Sequence, residues 1–275
     1  MDMVEIIKDA FLFPSKDIKV LVIYELLAIL TAGFLGIGSL VYVLGFANPE
    51  CFLWGGLAVV ISMVLGWVVS GYLITVIKSG IELEDNAPEF VWWDNFITGF
   101  SNFIVSIVYF IIPALIVLFV GIATNVHGNF IDVVMEFYSQ YISVYLGTST
   151  AISFDAMAPA LANLMISLSI TIAVGIIVFI IFAFLQTMAE ARLANTDSLT
   201  EALNVFEAAK DIARIGVSKV IVVLLMVIII VAIINAVLSA IYNVVPILSI
   251  LSIIVSPYLA FFSQRAVGLL YSDIA

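Results

Sequence analysis

Few residues in this chain could do covalent or metal chemistry. One histidine and one cysteine occur in 275 residues. His127 stands in Asn125-Val126-His127-Gly128-Asn129, with Asp132 and Asp155 further along. That would be an incomplete ligand set for any metal, and a solvated loop histidine is the simpler reading. Cys51 has no second cysteine with which to form a disulfide. There is no His-Glu-x-x-His pattern, Gly-x-Ser-x-Gly elbow, phosphate-binding loop or pair of intramembrane aspartates. The expectation is therefore no catalytic residue, no metal site and no cofactor. The chain does not read as an enzyme.

Glu25 is the one acidic residue set against an apolar run, where a charge is costly and is kept for a use. It reads either as an interfacial residue near Lys19, since Leu26–Phe46 is long enough to span alone, or as a carboxylate coupled to a proton or cation. Pro113 and Pro257 interrupt other apolar runs, and each removes a helical hydrogen bond and can open a backbone carbonyl to a substrate.

The elements that carry these residues are set by composition. Hydrophobic residues make up 64% of the chain and charged residues 11%, with a mean hydropathy of +1.28. A soluble globule of this length cannot hide so much apolar surface, so a soluble enzyme is excluded. With nine Lys+Arg against twenty Asp+Glu and a net charge of -11, nucleic acid is no partner. The partner implied at once is the lipid bilayer.

Six runs have the length of a membrane span: Val20–Phe46, Trp54–Ile77, Ile97–Ala123, Pro159–Met188, Val220–Tyr242 and Pro246–Phe262. The first reads as uncleaved, being too long for a signal-peptide core. All nine basic residues fall on one side of a six-span arrangement, and 47–53, 124–158 and 243–245 contain none. Lys and Arg beside a span stay in the cytoplasm. The expected fold is thus an all-α polytopic transmembrane bundle with both termini cytoplasmic, a multi-pass protein of the cell (plasma) membrane.

A single membrane domain, 1–275, is expected, built of three hairpin units at 1–80, 81–195 and 196–275. Each opens on an amphipathic cytoplasmic stretch. The first is Val4–Phe13, with Val4, Ile7 and Phe11 on one face. The second is Phe90–Phe103, with Phe96, Gly99, Phe100 and Phe103 on one face beside Trp92 and Trp93. The third is Ser198–Ile215, with a Ser198/Glu201 capping box and a stripe of Leu199, Leu203, Phe206 and Ile212. Tryptophan and basic residues at such places suit helices in the headgroup plane or a docking face, so Trp92, Trp93, Arg192 and Phe206 are the candidate interaction residues. The units would be related about the membrane normal.

Small residues spaced by four form ridges at Ala28/Ala32/Gly36, Ala58/Ser62/Gly66/Ser70, Ser167/Thr171/Gly175 and Ala232/Ala236/Ala240. Such ridges bring helix backbones together. The first two should face each other, and a homo-oligomer interface is the other use of such ridges. Asn163, Gln186 and Asn235 should bridge helices. The outer segment 124–158 carries Phe130, Val134, Phe137, Tyr141 and Tyr145 at helical spacing. It reads as a surface helix capping the bundle or as a lid over a cavity, which makes Phe137 and Tyr141 candidate functional residues.

Gly71-Tyr72, Ile77-Lys78-Ser79-Gly80, Ala87-Pro88-Glu89-Phe90, Trp93-Asp94 and Thr98-Gly99-Phe100 resemble a cytoplasmic-loop signature of an uncharacterised family of prokaryotic, mainly archaeal, polytopic membrane proteins. Met188-Ala189-Glu190-Ala191-Arg192-Leu193-Ala194, with Leu199 and Glu201-Ala202, is similar to that family's next motif. Ala87 stands where the family more often has Leu. The resemblance implies a helical membrane domain, an archaeal source and no assigned activity. The layout is also distantly similar to membrane domains attached to glycerophosphodiester phosphodiesterases, whose catalytic part has no counterpart here. Two functions remain open: a non-catalytic scaffold or assembly module presenting cytoplasmic helices to a membrane or cytoplasmic protein, and a small permease or lipid-handling transport protein with a cavity between hairpins.

Overall fold

The structure, a computed structural model, describes residues 1–275. It is 86% helix and has no strand. The helices are α1 (Met3–Leu12), α2 (Ile18–Leu44), α3 (Glu50–Ile81), α4 (Trp92–Ala123), α5 (Val126–Tyr145), α6 (Phe154–Thr196), α7 (Leu199–Ala202), α8 (Val205–Ile215), α9 (Val217–Val244) and α10 (Ser252–Tyr271). Six are long and apolar enough to cross a membrane: α2, α3, α4, α6, α9, and α10 together with the 3-10 turn before it. The chain divides into two compact units, Met1–Ser106 with Leu185–Ala275, and Ile107–Phe184. All nine basic residues belong to the first.

Several helices outrun the apolar runs that announce them. Helices α3 and α4 have 32 residues each and α6 has 43. At 1.5 Å per residue these are about 48 and 65 Å long, against a hydrocarbon core of about 30 Å. Hydropathy marks the part that meets lipid, not the part that is helical. Most of the excess lies where the Lys and Arg residues are, here called the basic end. Most of the fully buried large side chains gather there, Tyr109 in mid-α4 excepted: Tyr72 and Ile77 on α3, Met188 on α6, Phe261 and Phe262 on α10, and Ile6 and Phe13. Away from it the spans are loosely covered, with 11–28% of each apolar window buried. Lipid is as apolar as leucine, so exposed leucines cost nothing in that region.

Helix α1 packs on α10 and α9. Its inner face is Ile6 and Ala10, continuing into Phe13, all at 0% exposure. This corrects the expected face: Val4 is 65% exposed and Phe11 40%. Two stripes fit the helical period here, and the one continuous with Phe13 reaches the core. The third amphipathic stretch also differs from expectation. It breaks at Leu203-Asn204 into α7 and α8, because Asn204 caps α8 by accepting from the Glu207 N–H. Ser198 accepts from the Glu201 N–H, but the Glu201 carboxylate turns to Arg192 instead of closing the capping box. On α8 the buried residues are Ala208 and Asp211, whereas Phe206 is 80% exposed. Gly216, at φ 105°, takes the chain sharply from α8 into α9. The second stretch is not a separate helix but the first turns of α4. Its aromatic face forms as expected, with Phe96, Phe100 and Phe103 around Trp67 of α3 at 4.9–5.8 Å.

Helix α3 is the hub of the first unit, and glycines set its crossings. A Cβ on Gly71 would lie 1.7 Å from the Asn95 carbonyl oxygen, and one on Gly99 1.6 Å from that of Trp67. At the crossing with α10, a Cβ on Gly268 would lie 2.1 Å from the Ile77 carbonyl oxygen. Against α2, the expected α3 ridge of Ala58, Ser62 and Gly66 does the packing, with Ser62 donating to the Thr31 carbonyl at 2.7 Å. Its partner ridge is the expected one only at Ala28, which packs against the core. Ala32 and Gly36 are exposed, and Leu27, Thr31 and Gly38 take their place. Ala232, Ala236 and Ala240 of α9 are likewise exposed.

In the second unit, the Ser167/Thr171/Gly175 ridge packs as expected. The Thr171 and Thr124 hydroxyls lie 3.1 Å apart, and Gly175 lies against Val117. Helix α5 begins at Asn125 in the left-handed conformation and buries no residue. The expected helix is therefore present, with its aromatic stripe exposed within the unit.

Candidate functional site

Arg265 is the largest fully buried side chain in the protein, at 1% exposure. It sits in a stretch of α10, from Phe261 to Tyr271, that is nearly all buried. A guanidinium can be buried only if its charge and its N–H groups are answered. Its Nε donates to Asp9 of α1 at 3.1 Å, and one terminal nitrogen donates to the Ser79 carbonyl of α3 at 2.8 Å. The Phe13 ring lies 4.5 Å from the guanidinium carbon. One side chain thus fastens α1, α3 and α10 together.

A second pin lies among α6, α8 and α10. Asp211 is 1% exposed and accepts from Arg192 at 2.8 Å, Arg214 at 3.0 Å and the Tyr271 hydroxyl at 2.8 Å. Arg192 also donates to the Glu201 carboxylate at 2.6 Å. Around the rim, Lys78 pairs with Asp197 at 2.6 Å, Lys16 with Asp85 at 3.1 Å, and Lys219 with Asp273. The Lys210 hydrogen bond holds the Glu207 carboxyl below its usual range. Burial alone would raise Asp273, but hydrogen bonds from Lys219 and the Met1 amino group bring it below its usual range. Both carboxylates are therefore charged at neutral pH.

A ladder of polar side chains runs between α3, α4 and α6. The Thr75 hydroxyl donates to Asn95 at 3.1 Å, and Asn102 donates to the Ser70 hydroxyl at 3.0 Å. Gln186 donates to Ser106 at 3.2 Å and to Glu190 at 3.0 Å. Two buried atoms in this ladder lack partners, the Asn95 Nδ2 and the Asn102 Oδ1. Glu190 is in no ion pair.

Between α2 and α10 lies an apolar groove of about 480 Å³. Ile18, Leu26, Ile29 and Ile254 line it, together with Glu25, Pro257, Ser15 and Tyr258.

A family model described as "Protein of unknown function (DUF4013)" matches residues 54–243. The chain belongs to this family. No curated protein and no solved structure matches it. The DUF4013 match covers α3 to α9, and so contains the polar ladder, Arg192 and Asp211. It leaves out α1, α2 and α10, and with them Asp9, Glu25 and Arg265.

The motif residues that suggested an uncharacterised family have plain structural work. Gly71 and Gly99 make the α3–α4 crossing and Gly80 meets Gly268. The Tyr72 hydroxyl donates to the Pro88 carbonyl at 2.9 Å while its ring stacks on Phe90 at 5.0 Å, which ties down the acidic loop. Of the candidate residues, Arg192 lies in the Asp211 pin, and Glu25 and Pro257 share the groove. Trp92 (56% exposed) and Trp93 (68%) flank the start of α4 against Phe90 and Phe96. Phe137, Tyr141 and Pro113 belong to the second unit, the first two exposed and Pro113 buried within α4. His127 is exposed in the first turn of α5, and no three His, Cys, Asp or Glu residues group to hold a metal. Of the three amides expected to bridge helices, Gln186 does. The Asn235 side chain donates within its own helix, and Asn163 is reached through its carbonyl.

Sequence reasoning missed Arg265, Asp211 and Glu190 as site residues. Arg265 had a signal, a lone cation inside an apolar stretch. Glu190 lay two residues past the expected end of its span.

Proposed function

We propose that the protein is a non-catalytic scaffold or assembly module of the plasma membrane, with both termini cytoplasmic and its basic end serving as a rigid platform for a partner protein. The observation that carries this reading is the buried core built at the basic end, beyond the length that crossing a bilayer requires, and pinned by Arg265 and Asp211. An anchor alone does not need desolvated ion pairs, which stabilise little compared with apolar packing but hold elements in one arrangement. Phe206, 80% exposed beside Lys210 and Arg214 on the outer face of α8, and Trp92 and Trp93 are the groups this platform leaves for a partner. The exposed α9 ridge of Ala232, Ala236 and Ala240 offers a second copy a close approach.

A second reading, a small permease, is supported by the polar ladder ending on Glu190. Native mass spectrometry after mild extraction from the protein's own membrane separates the two. The expected result is a co-purifying protein that Phe206→Asp releases and Glu190→Gln retains. A bare chain, or a bound small molecule lost in Glu190→Gln and kept in Phe206→Asp, overturns the scaffold.

A further inference from the structure

Independently of the scaffold reading, we infer that the groove between α2 and α10 holds the apolar chain of a single bilayer lipid whose head group ends in an ammonium, with that ammonium donating to Glu25. Three observations carry it. The groove is open on its flank, since Ile18 is 69%, Leu26 56% and Ile254 65% exposed, so an occupant enters sideways from the lipid. Its volume of about 480 Å³ falls in the range of ligand sites, roughly 300–1,000 Å³.

Its polar groups are of one kind. Glu25 forms neither an ion pair nor a hydrogen bond with the rest of the protein. Pro257 has no N–H, so the carbonyl of Ile253, which also lines the groove, loses its helical donor. The two hydroxyls that line it are already committed as donors: Ser15 to the Leu12 carbonyl and Tyr258 to the Phe11 carbonyl. The groove therefore offers acceptors and a negative charge and no free donor. Its complement is an apolar chain carrying several N–H donors and a positive charge, which an ammonium-ended lipid supplies and an anionic lipid does not.

The test uses the full chain reconstituted in nanodiscs of equal phosphatidylethanolamine and phosphatidylglycerol. The protein is then released into mild detergent for native mass spectrometry. One retained phosphatidylethanolamine per chain is expected, in excess over phosphatidylglycerol by about ten-fold, the worth of one charge-assisted hydrogen bond. Glu25→Gln should bring the ratio near one. Ile254→Trp, which fills the groove, should remove retained lipid of either kind, with melting curves showing that both variants are folded. Equal retention of the two lipids by the unaltered chain overturns the inference, as does a preference that survives Glu25→Gln. A dimer that retains no lipid also overturns it, because the groove's occupant is then a second copy.

Discussion

Asp211 and Glu201 both receive Arg192, yet their environments assign them very different weights. Asp211 is almost wholly buried and serves three donors, while the Glu201 side chain is 49% exposed. Removing one member of a buried ion pair leaves an uncompensated charge and costs about 3–5 kcal/mol. A solvent-exposed pair is worth up to about 1 kcal/mol. Asp211→Ala is therefore expected to destabilise the detergent-solubilised protein by about 3 kcal/mol or more, and Glu201→Ala by less than about 1 kcal/mol, read from denaturant unfolding of both variants. Equal losses would show that Asp211 is not the keystone of the network. These roles were not legible in the sequence. Arg192 stood out as a basic residue next to a span, but nothing in the chain announces that Arg265 meets Asp9 across 256 positions. Ion pairs between distant elements follow from the packing, and the packing depends on which face of each amphipathic helix wins.

At the scale of elements, the close crossings of α3 make a sharper test than any sum of contacts. Gly71 has no room for a methyl group, with the Asn95 carbonyl 1.7 Å from where its Cβ would stand, whereas Gly36 has nothing within 4 Å. Gly71→Ala must push α4 away from α3 and should cost about 3 kcal/mol, the upper end of overpacking penalties. Gly36→Ala should be neutral or stabilise by up to about 1 kcal/mol, since alanine favours helix over glycine. Thermal melting of the two variants in one detergent checks the pair, and a similar melting point for both would refute the crossing. The number, order and type of the spans were readable, because twenty apolar residues in a row have few alternatives in water or lipid. Faces were readable only in part. The α3 and α6 ridges hold, while on α1, α2 and α8 more than one stripe fits a period of 3.6, and tertiary packing selects another. The ends of α3, α6 and α10 escaped because residues such as Glu190 and Arg265 look like the edge of a membrane. Arg265 is instead fully buried and Glu190 half-buried, each in a helix that runs on.

For the whole molecule, the placement of every Lys and Arg in one compact unit gives a single orientation its physical basis. Basic residues beside a span resist transfer across the membrane, so the basic end should be cytoplasmic and the short connection before α3 outside. Cys51 is the sole cysteine, lies in the first turn of α3 and is partly exposed, which makes it a native reporter for that connection. On intact cells, a membrane-impermeant maleimide should label Cys51. In a Cys51→Ser background, Glu84→Cys in the loop between α3 and α4 should remain unlabelled until the cells are lysed. The acidic loop is held to the basic end by the Lys16–Asp85 pair and by Tyr72, so it reports the side on which that end lies. Labelling of position 84 on intact cells, with Cys51 protected, would invert the orientation. It would then place the Arg265 and Asp211 pins outside the cell, where no cytoplasmic partner could meet the platform they hold.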